Sequence, residues 1–86
     1  MNTKEELVKD IVKILKYLHE GNLEELDSLL DKLKNNIEKT DFYEDGIDFI
    51  QQVEFQKDYD PNHLLTKEIK ATADKLLKDL GIENLD

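Results

Sequence analysis

Cysteine, tryptophan and arginine are all missing from the 86 residues of this chain. Without cysteine there is no disulfide, no thiolate metal site and no thiol nucleophile. Twelve lysines face twenty-one acids, a net charge of −9, and no arginine accompanies them. Proteins that bind DNA or RNA neutralise phosphates with Lys and Arg and read bases chiefly with Arg, so direct nucleic-acid binding is not expected. No apolar run exceeds two residues, which leaves nothing to serve as a signal peptide or a membrane span. A cytoplasmic location is the default that remains. Proline occurs once and glycine three times, and Gly21, Pro61 and Gly81 fall where the apolar pattern stops or restarts.

What is present is the stock of an amphipathic helical protein. Fourteen Leu, seven Ile and three Val supply the apolar side chains, and Leu, Glu, Lys and Asp dominate. These types suit helices rather than sheets. At this length one domain is expected, and folding buries only about 60% of the surface of the unfolded chain.

Thr3 can cap a first helix, with Glu6 closing the capping box. Leu7, Val8, Ile11, Val12, Ile14, Leu15 and Leu18 then share one helical face as far as Gly21. Asn22 caps a second helix with Glu25, and its Leu23, Leu26, Leu30, Leu33 and Ile37 form a heptad seam. So short a turn makes these two helices an antiparallel hairpin. Thr40 or Asp41 offers a cap for a third helix, with Glu44 completing the box from Asp41. This helix carries Ile47, Phe49, Ile50 and Val53, and an interior Gly46 costs it about 1 kcal/mol relative to Ala. Asp60 and Pro61 read as the cap and first residue of a fourth helix on Leu65, Ile69, Ala73, Leu76 and Leu80. Gly81 ends it in a Schellman motif with Ile82, and the closing ENLD reads as a loose end. The expected fold is all-α, a small antiparallel four-helix bundle with helices over residues 3–20, 23–39, 42–57 and 61–80.

A search for chemistry returns little. Ser28 is the sole serine and reads as a surface residue of the second helix. His19 and His63 lie at helix ends without a paired ligand pattern. Asp58, Asp60 and Asn62 in DYDPN match the opening of a calcium loop, but the required Gly and bidentate Glu are replaced by His63 and Ile69. No Gly-rich phosphate loop exists, and a Leu-lined bundle of this size leaves little room for a pocket that could push two carboxylate pKa values apart. An enzyme is not expected, nor a cofactor or metal.

One region stands apart. Thr40 to Asn62 holds five of the six aromatic residues, and residues 38–60 carry −6 of the net −9. Phe49 and Phe42 read as core or helix-start residues. Tyr43, Phe55 and Tyr59 fall among charged or amide residues off the main apolar stripe. Aromatics are enriched at the energetic centres of interfaces, and acids around them select a basic partner. The candidate partner-binding residues are Asp41, Tyr43, Glu44, Asp45, Asp48, Glu54, Phe55, Asp58, Tyr59 and Asp60.

The segments ILKYLHEGNLEELDSLLDKL, DFIQQVEFQKDYDPN and KEIKATADKLLKDL, spanning Ile14 to Leu80, resemble the four-helix immunity proteins of colicin D and of contact-dependent growth inhibition systems. What that resemblance implies is a non-catalytic inhibitor covering the basic active site of a tRNA-cleaving toxin, its carboxylates standing where RNA phosphates would lie. The Tyr-Tyr-Pro segment of immunity proteins against DNase colicins is missing here. A basic protein partner is therefore expected, no nucleic acid or membrane, and a monomer rather than a homo-oligomer. Two further readings stay open: an acidic nucleic-acid mimic of phage or regulatory origin, and an assembly module that pairs through the second-helix seam.

Overall fold

The computed structural model of the chain describes residues 3–82, without the side chain of Thr3. The cap expected at Thr3 and the loose end expected at ENLD lie outside the described residues. Four helices follow in order: α1 Thr3–Glu20, α2 Leu23–Ile37, α3 Tyr43–Tyr59 and α4 Lys67–Asp79. They form the all-α four-helix bundle expected from the apolar periodicity. None of the described helices is long and apolar enough to cross a membrane.

The caps explain where most elements begin and end. Gly21 takes a φ of 74°, and the N–H of Asn22 reaches back to the Tyr17 carbonyl at 3.0 Å, closing α1. The Asn22 side chain then accepts from the Glu25 N–H at 3.3 Å to open α2. At the far end Gly81 has a φ of 95°, Ile82 N–H donates to Leu77 O at 2.8 Å and Gly81 N–H to Lys78 O at 3.0 Å. That pair of bonds is the Schellman motif, and Ile82 packs back on the core.

Five boundaries differ from the sequence expectation, and two of these are simple shifts: α3 runs on to Tyr59 rather than 57, and α4 ends at Asp79 rather than 80. α2 stops at Ile37 rather than 39, because both the N–H and the hydroxyl of Thr40 bind the Ile37 carbonyl, at 2.9 and 2.8 Å. Thr40 also accepts from Phe42 N–H at 3.2 Å, so α3 starts after Phe42 with no side-chain cap, and the box expected from Asp41 and Glu44 is not formed. The largest difference is α4, which starts at Lys67 and not at Pro61. Asp60 is the C-cap of α3, its carboxylate accepting from Asn62 N–H at 3.2 Å. The His63 carbonyl, which a continuous helix would have offered to Lys67 N–H, accepts from the Gln56 amide at 2.6 Å instead. Residues 63–66 run on without helical structure, Leu64 drops into the core, and Thr66 caps α4 by accepting from Ile69 N–H at 3.1 Å.

Contacts between the helices show each neighbour running antiparallel. Asp10 of α1 meets Asn36 and Lys32 of α2. Gly46 of α3 lies against Ile37 at one end of α2 while Lys57 meets Asp27 near the other. Asp45 of α3 meets Lys75 of α4. The core joins Leu7, Ile11, Ile14 and Leu18 of α1 to Leu26, Leu30, Leu33 and Ile37 of α2, then to Phe49, Ile50 and Val53 of α3 and Ile69, Ala73, Leu76 and Leu77 of α4. Four of the five seam positions of α2 are thus consumed inside the bundle, and Leu23 is half-buried against it.

Candidate functional site

α3 buries only Gly46, Phe49, Ile50 and Val53. With about 3.6 residues per turn, the side of the helix opposite that set carries Glu44, Asp48, Gln51, Phe55, Asp58 and Tyr59. Phe55 is 63% exposed and Tyr59 75%. They sit one turn apart and stack on each other, ring centroids 5.8 Å apart and planes at 11°. Two apolar faces kept in water on one helix are not needed by the fold, because the neighbouring turn supplies Phe49 to the core fully buried. Mutual stacking holds the pair in a defined orientation.

The ten residues singled out from the sequence do not form a single patch. Glu44, Asp48, Phe55, Asp58 and Tyr59 share the outward face. Tyr43, 41% exposed, and Glu54 lie on the flank that turns toward α2. There Glu54 and Asp58 face Asp27 and Asp31 of α2 across an open groove of about 370 Å³. Asp27 and Asp31 were missed in the sequence. Their four-residue spacing put them on one side of α2, but nothing local said that this side would border α3. Lys57, the one cation of α3, is bound to Asp27, so its positive charge is spent inside the groove.

Asp45 falls on the opposite flank. It is half-buried and lies 3.5 Å from the Lys75 ammonium of α4. A hydrogen bond from Asp79 holds its pKa below the ordinary carboxylate value, outweighing the upward push of burial, and the Lys75 charge acts in the same downward direction. Asp79 moves the other way: its hydrogen bond with Asp45 raises its pKa, and burial and the Asp45 charge add to that. Asp45 therefore ties α3 to α4 rather than standing free on the outward face. Asp41 is exposed in the turn before α3, and one carboxylate oxygen of Asp60 accepts from Asn62 N–H in the turn that follows it.

Beyond Tyr59 a second groove, of about 580 Å³, opens between the end of α3, the 60–66 connection and the start of α4. Phe55 and Tyr59 form part of its wall, and Asp60, Lys67 and Glu68 reach its rim. Among the described residues no group of three or more His, Asp or Glu converges as a metal site would require. The arrangement supplies flat apolar faces, a surplus of carboxylates and a recess at the end of α3, features that suit recognition of a cationic protein surface. Compared with known proteins, the chain matches no family model, no curated protein and no solved structure.

Proposed function

We propose that this protein is a non-catalytic inhibitor that docks the outward face of α3 on a basic protein, and that its target is a nuclease toxin of the tRNA-cleaving kind. It would then serve as an immunity protein in the cytoplasm of the cell that carries it. The observation that carries this reading is the stacked, water-exposed pair Phe55 and Tyr59 set among Glu44, Asp48 and Asp58. An enzyme that cleaves RNA presents a cationic site to hold phosphates, and a carboxylate-rich face of this kind attracts such a site from a distance and occludes it on contact. The rings supply the desolvated anchor around which close ion pairs gain strength, with coupling energies of roughly 1.5–7 kcal/mol each in such complexes.

The test is co-production with a tRNA-cleaving toxin domain, taken first from any toxin gene found beside its own. Glu44→Lys, Asp48→Lys and Asp58→Lys combined should abolish protection of the host while helicity, read by circular dichroism, stays unchanged. Asp45 is left out of that set because its carboxylate is held by Lys75 and Asp79. Full protection by the triple variant would overturn the reading. The same face would also serve an acidic mimic that blocks a DNA-binding enzyme, and a phage operon around the gene in place of a toxin would favour that version. Pairing through the α2 seam finds no support, since Leu26, Leu30, Leu33 and Ile37 are buried in the bundle's own core.

A further inference from the structure

Building on the reading that the partner is a basic protein, we propose that the groove at the end of α3 receives an arginine side chain of that partner. On this view the recess supplies selectivity, while the wider acidic face supplies attraction. Three features of the recess converge on a planar cation. Its wall contains Phe55 and Tyr59, whose near-parallel rings leave flat π-faces in water. A guanidinium is planar and weakly hydrated, so it lies on such a face at little desolvation cost, whereas a lysine ammonium must give up a tight hydration shell. The rim carries the carboxylates of Asp60 and Glu68 against the single ammonium of Lys67. The five-donor fork of an arginine on the rings reaches sideways to carboxylates in a way that a point charge does not.

The third feature is pre-organisation. The Gln56 amide holds the His63 carbonyl at 2.6 Å, His63 N–H donates to the Asp60 carbonyl at 3.1 Å, and Asn62 N–H donates to the Asp60 carboxylate at 3.2 Å. These bonds fix the 60–66 connection against α3 before any partner arrives, so little ordering is left to offset on binding. They also account for the delayed start of α4. The chain gives up six residues of possible helix, and the gap between the two helices becomes the floor of the recess. At about 580 Å³ the space falls within the range of sites that take a small ligand, large enough for an arginine with its flanking main chain. The two carboxylates outnumber the Lys67 ammonium, which disfavours an anionic occupant, and an apolar one leaves them unanswered.

The test needs no partner protein. The full chain, labelled with ¹⁵N and ¹³C, is titrated by NMR with the peptide acetyl-Gly-Arg-Gly-amide and with matched peptides carrying lysine or citrulline. The expected result is saturable shifts centred on Phe55, Tyr59 and Glu68, with the arginine peptide bound about threefold or more tightly than the lysine one. The neutral citrulline peptide should give no saturable shift. Tyr59→Ala and Glu68→Gln, both at exposed positions, should each erase the arginine preference while amide shifts outside the recess stay in place. Equal binding of the lysine and arginine peptides, shifts centred on Glu44 and Asp48, or no saturable shift with any peptide would overturn the proposal. The inhibitor reading survives that outcome, because it rests on host protection. Loss of the inhibitor reading with arginine selectivity intact would show the reverse.

Discussion

In the α1–α2 hairpin a single large apolar side chain among those described, Val12, is exposed, and a carboxylate is buried. In α3 the buried set is short and three rings reach the surface. The hairpin is spent on stability. Its seam is closed, and Asp10, 1% exposed, is held across the interface by Asn36 at 3.1 Å and Lys32 at 3.4 Å. α3 is the least sharply amphipathic of the four helices, because its apolar residues point both ways. A helix that keeps rings in water at that cost is the part of the molecule to which the proposed function assigns the partner.

The contrast is broken most forcefully within α3 itself. Phe49→Ala should destabilise the fold by about 3–5 kcal/mol through lost burial and the cavity left behind. Phe55→Ala and Tyr59→Ala should move stability by no more than about 0.5 kcal/mol. Urea melts of the three variants measure this, and a large loss at Phe55 or Tyr59 would assign those rings to the fold.

The hairpin's lock comes next. Asp10→Ala leaves the Asn36 amide without its acceptor in a part-buried setting and should cost about 1–3 kcal/mol. Asp10→Asn keeps an acceptor for Asn36 but loses the charge pairing with Lys32 and turns an amide NH2 toward that ammonium, whose side chain is 53% exposed and can swing out to water. It should cost less than Asp10→Ala, because the bond to Asn36 is kept. Equal losses from the two substitutions would show that charge, not hydrogen bonding, holds the interface.

Gly46 tests how α3 meets the hairpin. A Cβ built there collides with Ile37 Cδ1 and comes within 3.3 Å of Ile37 Cγ2, and Ile37 is fully buried. Helix propensity favours Gly46→Ala by about 1 kcal/mol, while overpacking costs about 1–3 kcal/mol. A net loss of about 1 kcal/mol is expected. In an Ile37→Val background, which lacks Cδ1, the same substitution should become neutral or favourable. Denaturant midpoints of the four proteins in that cycle decide it.

The smallest effect concerns pH at the α3–α4 seam. Asp79 has a folded pKa above its ordinary 3.8, so its ionised form disfavours the fold above that folded value, and the penalty fades as pH falls through it. Asp79→Asn should therefore raise thermal stability slightly at neutral pH, with no difference from the parent once pH is below the carboxylate range. Asp45 has a folded pKa below 3.8, so it contributes stability at neutral pH that is lost as pH falls through the lower value. Asp45→Asn should show the opposite sign at neutral pH, and melting curves across the acid range would reveal it.

Much of this was legible in the residues. The heptad of α2, the caps at Asn22 and Gly81 and the amphipathic faces of α1 and α4 are signals carried within a turn or two of chain, and every helix but α4 formed within two residues of its expected bounds. The misread start of α4 has a local cause with a distant partner. Pro61 suits the first turn of a helix, but Gln56 on the preceding helix takes the His63 carbonyl, and Thr66 offers a second cap. The candidate docking residues were legible as types and not as positions. Asp45 and Asp58 look alike in the sequence, yet one is tied to Lys75 and the other borders the acids of α2.

Periodicity, capping and composition are properties of neighbours in sequence, and by themselves they determined that this chain makes four helices with an acidic, ring-rich third one. Which rings stay in water, which carboxylates are occupied and where two helices part to leave a recess were decided only by tertiary packing. The reason is geometric: a helix carries its side chains on every side, and only the placement of its neighbours turns some of those sides into core and leaves the others as surface.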